Sequence, residues 1–282
     1  MIFNLYKERG ETPLECVQRF REKFPEYDQK KPLDREKTKW TYMGRLDPMA
    51  EGVLLVASGE DVYKKEEFLE FDKEYDFVAL FGFATDTYDI LGKVVRAEKV
   101  EDIKEMELIK LCKVYEGERM QKYPEYSSKM IASRKTPSPT IPRRGRESGN
   151  PLPSEGGRGE VPIKKITIHK IQFHGLDQLN SKELFGRLLM DIGKVKGDFR
   201  QNEILILWRQ MLLPKPSLVV REGLHDSERV SYLARFSAHV SSGTYIRSIV
   251  NDFGNTLGYG ATTLSIRRTR AGSYKIEDSI KF

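Results

Sequence analysis

Asp47 lies in the segment Gly44-Arg45-Leu46-Asp47-Pro48-Met49-Ala50-Glu51-Gly52, just before the apolar run Val53-Leu54-Leu55-Val56-Ala57. Pro48 disfavours helical backbone at Asp47 and pushes it toward an extended conformation. The glycines allow tight turns or close backbone approach on both sides. A fixed carboxylate at the mouth of a buried strand can serve as a nucleophile or as a general base. An Asp before Pro is also a common structural turn, so the rest of the chain must decide between the two.

Three further segments carry groups able to work with that carboxylate. Lys73-Glu74-Tyr75 leads into Gly82-Phe83-Ala84-Thr85-Asp86-Thr87-Tyr88-Asp89. Gln121-Lys122-Tyr123-Pro124-Glu125-Tyr126-Ser127-Ser128-Lys129 follows. Near the end come Gly243-Thr244-Tyr245-Ile246-Arg247 and Arg267-Arg268-Thr269-Arg270-Ala271-Gly272. Arg247 falls in the first turn of a predicted helix directly after a predicted strand, which places it at the rim of a cleft.

The elements that must position these groups are legible in outline. Thr12-Pro13-Leu14-Glu15 reads as an N-cap, a proline at the first helical position and a capping-box glutamate, opening a helix with the stripe Leu14, Val17, Phe20 and Phe24. Alternation over 73–83 predicts a strand with Tyr75, Phe77, Ala79, Phe81 and Phe83 on one face. Further strands are predicted over 163–173, with an irregularity near His169, and over 230–240. Helices are predicted over 100–115, 181–195, 199–212 and from Tyr245 on, with Tyr245, Ile246, Ile249, Val250 and Phe253 on its apolar side. The segment 136–162 is rich in Pro, Gly, Ser and Arg, and reads as an insert within one domain spanning 1–282.

Composition narrows the class. The chain has 282 residues, 39% hydrophobic and 32% charged, enough for a sizeable core. No apolar run approaches the roughly 20 residues of a membrane span, and the N-terminus lacks signal-peptide character, so a cytoplasmic protein is expected. Two distant cysteines and four scattered histidines predict neither a disulfide framework nor a metal site. Net charge is +6, and the stretch 134–170, with nine Lys/Arg and three Glu, accounts for an equal excess. That distribution suits a polyanion partner.

Taken in order, the four motifs resemble the TruB family of tRNA pseudouridine synthases, nearly end to end apart from 136–162. The resemblance implies an α+β fold with a mixed, largely antiparallel central sheet flanked by helices. It implies a stand-alone isomerase that converts a T-loop uridine of tRNA (position 55 in tRNA numbering) to pseudouridine without cofactor or metal. Residue by residue, Asp47 matches the catalytic aspartate, Tyr75 the tyrosine that stacks on the target base, and Arg247 the arginine that pairs with the aspartate. Tyr42, Arg45, Lys73, Lys129, Tyr245, Arg267 and Arg268 are candidate RNA contacts, and a monomer is expected. The 136–162 insert lies where family members carry a segment that closes over tRNA, though a spacer is an equal reading.

The chain also departs from the pattern. Tyr42 stands where the family usually has histidine, and Arg45 where a small residue is common. Gly44-Arg45-Leu46-Asp47 is similar to the RsuA/RluA branches that act mainly on ribosomal RNA, which keeps an rRNA-modifying enzyme as an alternative, alongside a tRNA-binding protein without catalysis. No C-terminal PUA-type RNA-binding domain is expected after Phe282, which disfavours a guide-RNA-dependent relative.

Overall fold

A computed structural model describes residues 1–28, 38–124, 163–213 and 230–282. The predicted 136–162 insert and Lys129 fall outside the described residues. In chain order the elements are β1 (Ile2–Lys7), α1 (Pro13–Lys23), β2 (Trp40–Met43), β3 (Ala50–Ser58), α2 (Lys65–Leu69), β4 (Lys73–Phe81), β5 (Phe83–Thr85) and β6 (Val94–Ala97). There follow α3 (Glu105–Tyr115), β7 (Gly117–Lys122), β8 (Ile163–Asn180), α4 (Ser181–Gly193), α5 (Gln201–Leu212), β9 (Val230–Val240), α6 (Ile246–Leu257), β10 (Ala261–Ala271) and β11 (Tyr274–Lys275).

One sheet runs in the order β1-β3-β10-β4-β9-β8-β7, with β2 pairing β3 and β11 pairing β10. Every pair in it is antiparallel except β3 with β10. The mixed, largely antiparallel sheet flanked by helices is therefore as the family resemblance implied. Each face buries its own core. Phe77, Phe81, Phe236 and Ile266 pack with α1, α3 and α6 through Phe20, Leu108 and Phe253. Leu80, Leu233 and Leu264 pack on the other side with Leu184, Leu188 and Trp208 of α4 and α5.

Three expectations about these elements are corrected. Phe83 does not continue the Tyr75–Phe81 face: Gly82 sits at φ +88°, the strand breaks there, and Phe83 joins the α4–α5 core, its ring centroid 5.1 Å from that of Trp208. The helix expected over 100–115 starts only at Glu105, although Val100 and Ile103 are buried. Leu14 is exposed, and α1 instead buries Cys16, Val17 and Phe20. The capping box itself is present, with the Glu15 amide donating to Thr12 Oγ1 at 3.2 Å and the Thr12 amide to Glu15 Oε2 at 2.7 Å.

The parallel pairing of β3 with β10 sets the register Ile266↔Ala50, Arg267↔Glu51, Arg268↔Gly52. Gly52 sits where the two backbones leave no room for a side chain. Its φ is +104°, and a Cβ there would lie 2.2 Å from the Arg268 carbonyl oxygen. Gly52→Ala is thus expected to lower stability by more than about 2 kcal/mol, read as a drop in the urea midpoint.

Candidate active site

The Asp47 turn is fixed from four directions. Leu46 anchors into one core and Met49 into the other, so the two neighbours of the Asp-Pro pair are held on opposite faces of the sheet. From below, the wholly buried Lys7 donates from Nζ to the carbonyls of Ala50 (2.6 Å) and Glu8 (2.9 Å), and the Gly10 amide donates to the Pro48 carbonyl at 2.8 Å. From β10, Arg268 donates Nε to the Val53 carbonyl (2.7 Å) and Nη2 to the Gly44 carbonyl (2.9 Å). From α6, Arg247 Nε lies 2.9 Å from Asp47 Oδ2. The Nε–H is not aligned on that oxygen as a hydrogen bond, so the contact is a close ion pair. Asp47 keeps about a third of its side chain open, at 32% exposure, against 5% for Arg247.

Arg247 is held by a second acid. Its Nη1 donates to the Thr87 carbonyl at 2.5 Å and lies 3.7 Å from Asp89 Oδ2. Asp89 is buried, and its Oδ1 accepts from the Thr87 hydroxyl (2.7 Å) and the Leu91 amide (3.0 Å). Burial pushes the Asp89 carboxyl up, Arg247 pulls it back, and Asp47 pushes it up again. For Arg247, burial works against the charge, but Asp47 and Asp89 outweigh it and the net direction is upward. The Asp89 loop is stitched to β10, where the Ile90 amide donates to the Thr263 carbonyl (3.2 Å) and the Thr263 amide to the Tyr88 carbonyl (3.0 Å).

The entry to α6 is set by Gln121 of β7. Its side chain donates to the Tyr245 carbonyl (3.0 Å) and accepts from the Tyr245 amide (2.8 Å), as a neighbouring strand would. Tyr245 is the N-cap of α6 and not part of its apolar face, which begins at Ile246. The Tyr123 and Tyr245 rings meet edge to face at 5.3 Å.

These elements enclose a cleft of about 330 Å³, within the range of small-ligand pockets. Asp47, Tyr75, Arg247, Arg45, Lys73, Tyr245 and Arg268 all line it. Tyr75 is 9% exposed and sits opposite Arg268 in the β4–β10 register. Five cations line the cleft (Arg45, Lys73, Lys164, Arg247, Arg268) against three carboxylates (Asp47, Glu66, Glu70), a balance suited to an anionic ligand.

Several predicted contacts are placed differently. Arg268 is 1% exposed with its guanidinium bonded to two backbone carbonyls, so it braces the Asp47 turn and is not presented to a phosphate. Arg267 points to the other face of β10, where it pairs with Asp76 at 2.7 Å. Tyr42 packs against the core from β2 and does not line the cleft. Lys73 lines the cleft, but its ammonium donates to the Leu69 carbonyl (2.7 Å) and to that of Phe71. Lys7, Asp89, Lys164 and Gln121 were not singled out by sequence. A buried lysine or aspartate carries no periodic signature; Asp89 and Gln121 lie within the quoted motifs, while Lys7 and Lys164 lie outside them.

Burial pushes the Lys7 and Lys73 ammonium groups down, each to about 8 from 10.5. Above pH 8 the folded chain therefore sheds protons that the unfolded chain still holds, and stability rises with pH. The Lys7 contribution has a limiting slope of about 1.4 kcal/mol per pH unit. Above pH 9 the rise is opposed, because burial pushes the Cys16 and Cys112 thiols up to about 12 and about 11 from 9.0. The expected profile climbs from pH 8 to 9 and then flattens. Urea unfolding across this range checks it, and Lys7→Met is expected to reduce the climb.

Residues 30–184 match the profile described as "TruB family pseudouridylate synthase (N terminal domain)". The chain is 28% identical over 279 residues to tRNA pseudouridine synthase B of Clostridium tetani, covering 99% of this chain and 70% of that protein. It is likewise 28% identical over 234 residues to the protein of that name from Blochmanniella floridana, covering 83% of this chain and 65% of the other. A chain from the crystal structure of a Cbf5–Nop10–Gar1 complex has the same fold, with a TM-score of 0.52 at 19% identity over 97% of this chain. This chain spans about half (49%) of that structural relative. The profile match covers more than half of the sequence, including the Asp47 turn, Tyr75 and the Asp89 loop, and the chain belongs to the TruB family of pseudouridylate synthases.

Proposed function

We propose that the cleft isomerises a uridine of tRNA to pseudouridine in the T-loop (position 55 in tRNA numbering), with Asp47 as the reactive carboxylate. The observation that carries this is the seating of Asp47 against Arg247 in a cationic cleft that also presents Tyr75. The relatives named tRNA pseudouridine synthase B support tRNA as substrate; direct action on it, without a guide RNA, is part of the same proposal. The reaction breaks the bond from the ribose C1′ to base N1 and forms one from C1′ to C5. The proton on C5 is lost, N1 is protonated, and no electrons are gained or lost overall. A single ionised carboxylate suffices, attacking the sugar or taking a proton from it. Tyr75 offers a ring for the turning base to stack on, and Arg45 and Lys164 at the rim offer charge to the backbone of an extruded nucleotide.

Arg247 fixes the Asp47 carboxylate and supplies the adjacent positive charge, while Asp89 in turn fixes Arg247. Lys7 and Arg268 hold the backbone of the turn. Among the described residues no helix is long and apolar enough to cross a membrane. Incubation with unmodified tRNA followed by chemical mapping of pseudouridine is the test. Conversion of the T-loop uridine is expected. Conversion confined to ribosomal RNA would overturn the substrate, and tight tRNA binding with no isomerisation would make the chain a binding protein.

A further inference from the structure

Away from the cleft, three side chains far apart in sequence converge on one point. His169 Nε2 lies 3.1 Å from Asp72 Oδ2, and His239 Nε2 lies 3.7 Å from the same oxygen. The two imidazole centroids are 4.6 Å apart, tilted by 42°. One donor atom from each residue falls within 4.8 Å of the other two. Each residue comes from a different strand region: Asp72 directly precedes β4, His169 is in β8 and His239 in β9.

The backbone shows how the meeting is arranged. The β8–β9 register jumps from Ile168↔Val240 to Lys170↔His239, leaving His169 as the extra residue of a bulge. Bulges re-aim a side chain, and here the re-aimed imidazole stands beside His239. In the β4–β9 register His239 lies opposite Glu74, and the buried Val240 opposite Lys73. The cluster therefore belongs to the sheet face away from the cleft. All three side chains are partly open, at 34–45% exposure, so an ion can reach them.

We propose that Asp72, His169 and His239 form a binding site for a divalent first-row transition ion, of which Zn²⁺ is the best match. Two neutral imidazoles and one carboxylate favour Zn²⁺, Co²⁺ or Ni²⁺ over the hard ions Mg²⁺ and Ca²⁺, which prefer all-oxygen shells. Tetrahedral ligation with bonds of about 2.1 Å sets donors about 3.4 Å apart. The two His–Asp separations of 3.1 and 3.7 Å bracket that value. Water completes the fourth position. The bound ion ties the start of β4 to β8 and β9, one residue before Lys73 enters the cleft.

The test uses the full chain freed of metal with a chelator and desalted. Co²⁺ titration, followed by its visible absorption, is expected to show one ion per chain in tetrahedral geometry. Zn²⁺ at about 100-fold over its Kd is expected to raise Tm by about 5 °C. Asp72→Asn, His169→Ala and His239→Ala are each expected to weaken binding at least about 10-fold. His174→Ala, an exposed histidine bonded to Ser237, retains full affinity and the full Zn²⁺-dependent rise in Tm. Absence of Co²⁺ binding overturns the site, as does undiminished affinity in a folded His169→Ala/His239→Ala double variant.

Discussion

Asp47→Asn is expected to lower the rate of pseudouridine formation by about four orders of magnitude or more, the scale seen when an essential reacting group is removed. The change is isosteric and takes away only the charge. Arg247 keeps its contacts to Asp89 and Thr87, and the Asp47 backbone stays fixed by Lys7, Arg268 and the two cores. Melting temperature and tRNA affinity should therefore move little while turnover is lost. Tritium release from tRNA labelled at C5 of uridine, read beside a thermal melt, separates these quantities. Full activity in Asp47→Asn would remove the carboxylate from the mechanism.

Arg247→Met should damage both stability and rate, by different routes. With the guanidinium gone, Asp89 is a buried carboxylate with only the Thr87 hydroxyl and Leu91 amide for company. Breaking a buried ion pair from one side costs about 3–5 kcal/mol. Burial already pushes the Asp89 carboxyl up, and without Arg247 it rises further. A folded pKa above the unfolded value gives stability that is present at low pH and lost as pH rises through the folded pKa. The variant is thus expected to melt higher at pH 5 than at pH 8. Adding Asp89→Asn should restore most of the lost stability, because the amide removes the unpaired charge and can still accept both bonds. It should not restore the rate, because Asp47 remains without its cation. A double-mutant cycle over the four proteins measures the coupling in each quantity separately. Recovery of rate in the double variant would show that Arg247 matters only for folding.

The part of the site that is legible in sequence is the part held in short contiguous motifs. Asp47 with its Pro48 and glycines, and Arg247 just inside a helix that follows a cleanly alternating strand, can both be found that way. Arg268 shows where this fails. A triplet of arginines near a chain end reads as an exposed basic cluster, yet in β10 neighbouring side chains take opposite faces, sending Arg267 to Asp76 and Arg268 under the Asp47 turn. The β10 strand itself has no clean alternation to read, since Ala261-Thr262-Thr263-Leu264-Ser265 buries hydroxyl groups among its apolar ones. Thr262, for example, is bonded to Thr85 at 2.9 Å. The bonding of Lys7 is hidden in another way: a lysine reads as solvated until its carbonyl partners, more than 40 positions away in the case of Ala50, are known. Metal ligation at Asp72, His169 and His239 has no spacing signature at all, because it rests on strand pairing and one bulge.

The central place of β10 also bears on how the enzyme is made. This late strand lies between β3 and β4, supports the Asp47 turn through Arg268 and holds the Asp89 loop through Thr263. On a ribosome, Asp47 leaves the tunnel 214 residues (261 minus 47) before Ala261. At usual synthesis speeds that interval is roughly 10–40 s. Throughout it β3 and β4 lack the strand that joins them, with apolar edges open to chaperones or to each other. The nascent chain gains its reactive geometry only in a late, long-range step of the kind that makes folding slow. An arrest peptide placed to stall synthesis just before Ala261 has emerged should hold back a product without isomerase activity, whereas a stall after the whole of β10 has cleared the tunnel should yield an active one.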